Sequence, residues 1–265
     1  MALKDIDIYR TIAFLPGVKV IDNSFLMNYV GKDKNHGFLD SRSFELENTF
    51  YNIIERFSDN PITFPEEMRS EFIYLSNGIE SLISILKNSV EQSVSRPKMK
   101  YDEPYIILQR MRSISMKRAY LLENILDKHS TENYLPSNKW ESELLPSIID
   151  ITERHKIKRW YKERRDLNLV KGQNKLNDLR IFAKALEVSR GNHVFLLTRD
   201  EDFVGMHKFF YEELDLLSEK HKFHVPDYAV CIVVRYHDNS LSIIEPLEEP
   251  KPLNEKELHR FYQLE

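Results

Sequence analysis

The chain has one cysteine among 265 residues, so it forms no internal disulfide. That residue, Cys231, lies in the apolar run AVCIVV and is expected to be a buried thiol. Seven glycines and eleven prolines leave no room for a long low-complexity segment, and no internal repeat is visible. No run nears the roughly eighteen apolar residues of a membrane span. The first residues, MALKDIDIYRTIAFLPG, lack the apolar stretch of a signal peptide. These absences predict a cytosolic protein without membrane attachment. Positive charge is not in excess either: 38 Lys and Arg face 42 Asp and Glu, for a net charge of −4. Binding nucleic acid through overall charge is excluded, and any such contact must use a local basic patch. The nine histidines show no H-E-x-x-H and no zinc-ligand spacing with the cysteine. There is no phosphate-binding glycine-rich loop and no G-x-S-x-G, which removes P-loop, Rossmann and serine-hydrolase readings.

With 42% hydrophobic and 30% charged residues, the composition is that of a globular chain. Its length suits one large domain, or an α/β domain carrying a sizeable insertion. VKVI at 18–21 follows Pro16-Gly17 and ends at Asp22, as a buried strand delivering an acid at its C-terminal end. A helix is expected to start at Ser24, a loop to fill 31–42, and a second helix to run over 43–57. ITF at 62–64 reads as a short strand, and Pro65 as the first turn of a helix with Glu66 and Glu67 just inside it. Further helices are expected over about 104–128 and 138–165. Asn177-Asp178 opens the helix LRIFAKALEVS, closed by Gly191. HVFLLT is a second buried strand, followed by RDEDF and a helix of about fifteen residues. YAVCIVVRY and LSIIE form a hairpin around 237–240, and a terminal helix spans 253–262. Strands alternating with helices predict a mostly parallel sheet, whose sites form at the C-terminal ends of its strands. Asp22 and Asp200 both fall there.

Four acids sit where four elements would converge: Asp22, Glu71, Asp178 and Asp200, with Asp202 as a fifth. Carboxylate oxygens are the hard ligands that Mg²⁺ and Mn²⁺ prefer. Clustered carboxylates repel one another unless cations join them. Several of these acids also have an ordinary explanation, but an acid ending a buried strand, as Asp22 does, needs a partner. Asp178 suits an early-helix charge with Asn177 as its N-cap, Asp200 and Asp202 suit a turn and cap, and Glu66 and Glu67 suit first-turn charges.

Four segments resemble the motifs of PIN domains: VKVIDNSF, ITFPEEMRSEF, NDLRIFAKAL and VFLLTRDEDF, in that order. The resemblance covers about 18–78 and 172–245. It implies a PIN-like three-layer α/β fold with a central, mostly parallel sheet. It also implies a metal-dependent ribonuclease in which Asp22, Glu71, Asp178 and Asp200 are metal ligands or acids beside them, and Asp202 is an auxiliary acid. Ser24 and Thr198 would hydrogen-bond in the site, with Asn177 and Glu67 beside it. Glu67 and Glu71 share a helix face, and Glu71, followed by Phe72, is the favoured second acid. Glu71 and Asp178 are much farther apart than in compact family members. The domain is therefore expected to run over 1–79 and 171–265, with a large helical insertion, 80–170, as a substrate- or partner-binding lid.

Within that insertion, RHKIKRWYKERR spaces Arg154, Lys158, Lys162 and Arg165 at helical intervals beside Trp160, a pattern suited to phosphates and bases. Arg110, Arg112, Lys117 and Arg118 form a second basic group. The expected function is a Mg²⁺/Mn²⁺-dependent endoribonuclease acting on single-stranded or structured RNA. A protein partner such as an antitoxin, or a second copy of the chain, is a further candidate partner. The competing expectations are a PIN-like scaffold that binds RNA or protein without cutting, and a structure-specific DNA nuclease.

Overall fold

Apolar runs too short for helices become the strands of one sheet. The structure, a computed structural model, describes residues 12, 15–26, 61–69, 128–157, 173–223, 229–236 and 240–262. Its strands are β1 (Val18–Ile21), β2 (Ile62–Thr63), β3 (Val194–Thr198), β4 (Val230–Arg235), β5 (Leu241–Ile244) and β6 (Lys251–Pro252). They form a six-stranded sheet in the order β2-β1-β3-β4-β5-β6. The first four lie parallel, with Ile21 opposite Leu197 and Thr198 opposite Val234. β5 and β6 run antiparallel, and Tyr236 N donates to Ser240 O at 3.0 Å to close the β4–β5 hairpin. The edge strand β6 was not foreseen; at two residues it is too short to show an alternating pattern.

Among the described residues, six α-helices accompany the strands: α1 (Asn23–Leu26), α2 (Leu145–Arg154), α3 (Gln173–Val188), α4 (Glu201–Glu212), α5 (Leu214–His221) and α6 (Glu255–Tyr262). On one face of the sheet, Val18, Val20, Leu196, Ile232 and Val234 pack with Ile148 and Ile151 of α2, Phe182 and Leu186 of α3, and Phe203 and Phe210 of α4. Side chains alternate along a strand, so Ile21, Phe195, Leu197, Cys231 and Val233 belong to the other face. There Phe195 meets Phe261 of α6 edge to face at 5.4 Å. Burial on both faces explains why β1, β3 and β4 read as unbroken apolar runs. Lys19 breaks that rule inside β1. It is fully buried, and its ammonium donates to the Leu15 carbonyl at 2.8 Å.

Three expected helices differ in extent. The helix expected over 138–165 ends at Arg154, because Lys156 takes a left-handed conformation (φ +53°) and Ile157 N turns back to Thr152 O at 3.1 Å. His155 then stacks on Phe209 at 3.7 Å, so the chain docks on α4 instead of continuing outward. The fifteen-residue helix after Asp202 is two helices, broken at Glu213 (φ −114°, ψ 17°). α3 starts at Gln173, before Asn177, because Leu176 already belongs to the stripe that packs on the core. Asn177 is therefore inside the helix and is not its N-cap. The helices expected over 43–57 and 104–128 lie outside the described residues, save Lys128.

The chain divides into two compact units. One comprises Met1–Met68 and Ser130–Glu265, the other Arg69–His129. The first holds the sheet. Residues 130–157, expected within the insertion, supply Trp140, Leu144 and Ile148 to its core. Only Arg69, Lys128 and His129 of the second unit are described. Among the described residues, no helix is long and apolar enough to cross a membrane.

Candidate functional site

The strand order places a topological switch point at β1. The chain leaves β1 for β2 on one side and later returns to β3 on the other. Connections that depart in opposite directions leave a crevice outside the carboxyl ends of the two strands, where ligands of open α/β sheets bind. β1 ends in Asp22 and β3 in Thr198, followed by Arg199 and Asp200.

A compact hydrogen-bond knot fills this position. Asp22 is 4% exposed, and its amide extends the ladder to Leu197 O at 2.9 Å. Its Oδ2 accepts the Thr198 hydroxyl at 2.9 Å and also the Ser24 hydroxyl. With their protons directed at Asp22, the two hydroxyl oxygens serve as acceptors. Ser24 Oγ receives the Arg199 amide at 2.9 Å, and Thr198 Oγ1 receives the Asp200 amide at 2.9 Å. The oxygens themselves stand 3.1 Å apart. A carboxylate accepting two hydroxyl protons through one oxygen is held in one orientation.

Asp200 is the N-cap of α4. Its backbone is extended (φ −89°, ψ 119°), and its Oδ1 accepts the Asp202 amide at 2.9 Å. Asp202 is buried in the first turn of α4. Asp178 is half-buried on α3, which packs on β3. From Asp178 to Val188 the helix rises about 15 Å, and from Val194 to Thr198 the strand rises about 13 Å. Asp178 and Asn177 therefore stand at the same end of the sheet as Thr198.

Glu67 is engaged elsewhere. Both its oxygens accept from Lys184 Nζ, at 2.8 and 2.6 Å, and the pair is buried. Lys184 also donates to Glu132 Oε1 at 2.6 Å and lies 5.1 Å from the centre of the Trp140 ring. Burial raises the affinity of the Glu132 carboxyl for a proton, but hydrogen bonds from Lys184 and Ser130 outweigh it and hold the group below the usual carboxylate range. Sequence reasoning missed Lys184 and Glu132. The available signal was a lysine between Ala183 and Ala185 on the inward stripe of an apolar helix, where an unpaired ammonium would be costly.

Glu71, Lys158, Trp160, Lys162 and Arg165 lie outside the described residues, as do Arg110, Arg112, Lys117 and Arg118. Arg154 is partly exposed, and it pairs with Asp150 at 3.3 Å and with Glu213. Its charge is matched by neighbouring carboxylates. The oxygen donors at the switch point suit a hard divalent cation in kind. Among the described residues, however, no three of His, Cys, Asp or Glu stand together so as to hold a metal ion. Set beside known proteins, the chain matches no family model, no curated protein and no solved structure.

Proposed function

We propose that the chain is a PIN-like, Mg²⁺- or Mn²⁺-dependent ribonuclease whose centre is the crevice between the ends of β1 and β3. The observation carrying this reading is the fixed Asp22 carboxylate at the switch point, gripped by Ser24 and Thr198 and facing the turn that carries Asp200. Asp22, Asp178 and Asp200, with Glu71, are the residues proposed to hold the ion, and Asp202 is auxiliary. A divalent ion there would supply an activated water and neutralise charge developing on a phosphodiester. The protein's part is orientation. The two hydroxyls fix the Asp22 carboxylate, and their bonds to the Arg199 and Asp200 amides fix the turn beside it. RNA is the proposed substrate, with Lys158, Trp160, Lys162 and Arg165 as its candidate contacts.

The test is cleavage of single-stranded and structured RNA with Mn²⁺ by Asp22→Asn and Asp200→Asn. Each substitution is expected to lower the rate by about a hundredfold or more. Wild-type rates in both variants would end the proposal.

A second reading, a PIN-like scaffold that binds RNA or protein without cutting, is favoured by one observation. Glu67, just after β2, is paired with Lys184 in a buried ion pair. Calorimetric titration with Mn²⁺ separates the two, since the nuclease requires binding that Asp22→Asn abolishes and the scaffold does not.

A further inference from the structure

The chain leaves the sheet unit after Met68 and re-enters it at Ser130. Exit and re-entry lie side by side: Phe64 and Ser130 form a parallel bridge, and Thr131 N donates to Phe64 O at 3.1 Å. Thr131 Oγ1 donates to Thr63 Oγ1 at 2.9 Å, and Thr63 Oγ1 donates to the Lys19 carbonyl of β1 at 3.1 Å. Glu66 N donates to Glu132 Oε1 at 3.2 Å. Lys184, arriving from α3, then bonds Glu67 on the outgoing side and Glu132 on the returning side. One buried ammonium thus bridges two carboxylates that flank the inserted unit in sequence.

We infer that Lys184 is a clamp on the neck of the Arg69–His129 insertion, joining its outgoing and returning strands to α3, and that the neck opens when the clamp is lost. The two carboxylates repel each other across the neck, and the cation between them reverses the sign of that interaction. Without the cation, Glu67 is left as an uncompensated buried charge, and parting the strands lets water reach it. The clamp also ties the neck to the helix carrying Asp178, while Thr63 ties it to the strand carrying Asp22. It acts independently of any chemistry at those acids.

Hydrogen exchange on the full chain tests this at the Thr131 amide, whose acceptor, Phe64 O, is untouched by the substitutions. Lys184→Met is expected to speed exchange there by about tenfold or more, while amides of Val194–Thr198 and Val230–Arg235 keep their rates. Unchanged exchange at Thr131, or equal acceleration throughout β3 and β4, would overturn the clamp. Glu132→Ala removes one arm at a side chain that is 31% exposed, so it carries the test even where Lys184→Met does not fold. It is expected to speed Thr131 exchange by roughly threefold, and no acceleration in that variant would equally overturn the inference.

Discussion

Thr198 gives its hydroxyl proton to Asp22 at 2.9 Å across 176 residues of sequence, while its oxygen takes the Asp200 amide at 2.9 Å. One hydroxyl therefore joins the end of β1 to the turn that opens α4. Thr198→Val removes the donor to Asp22 and the acceptor for Asp200 N together, and it is expected to destabilise the fold by about 1–3 kcal/mol. Ser24→Ala acts on the same carboxylate oxygen. A double-mutant cycle of the two, measured by urea unfolding, is expected to show coupling of at least about 0.5 kcal/mol. Strict additivity would mean that the hydroxyls act separately.

His207 sets an acid limit on stability. It is buried on α4, its Nε2 bonds the Val230 carbonyl at 2.8 Å, and burial pushes its pKa down from 6.5 to about 4. The folded state holds the neutral ring while the unfolded chain takes up a proton below 6.5. Stability is complete above that value and falls as pH drops from 6.5 towards 4, by on the order of 3 kcal/mol in all. Burial lowers the pKa of His193 too, which adds to the loss in the same direction. Urea midpoints measured across this range are expected to fall with pH, and His207→Gln is expected to flatten the slope. An unchanged slope in that variant would remove His207 as the cause.

Cys231 is expected to be inert in the folded protein. It is 1% exposed within β4, and burial, followed by the nearby Glu245 charge, pushes its thiol above the ordinary range. Reaction with an aromatic disulfide reagent should be undetectable in native buffer and stoichiometric in urea. Rapid native labelling would contradict the burial.

Gly17 turns the chain into β1. Its φ is +83°, and a β-carbon there would meet the His193 carbonyl oxygen at 2.3 Å, beside the bond from Val18 N to that oxygen. Backbone atoms cannot rotate away as a side chain can. Gly17→Ala is expected to lower stability by about 2 kcal/mol or more, read as a drop in Tm. A gain in Tm would show that the turn relaxes freely.

What the sequence reveals of this molecule follows burial. VKVI and HVFLLT are visible as strands because both faces of the sheet are covered, so most of their positions are apolar. The contact of Asp22 with Ser24 is local, two residues apart just after a strand. The contact of either with Thr198 needs β3 to lie beside β1, and strand order is not written in periodicity. Asn177-Asp178 carries the residue types of a cap, but the packing of Leu176 extends α3 a turn earlier. Lysine is by type a surface residue, and Lys184 is buried. Its setting depends on Glu67 and Glu132, which lie 117 and 52 residues away in sequence.

The pairing of Ile21 with Leu197 carries a consequence for biosynthesis. β1 is translated before β3, and residues 22–193 must be made between them, so one of its two neighbours emerges late. At ribosomal speeds this leaves β1 waiting for roughly ten to thirty seconds without that neighbour. During that interval VKVI is an apolar segment open to the wrong strand, so chaperone binding to the nascent chain should centre on that segment and end once HVFLLT has left the exit tunnel.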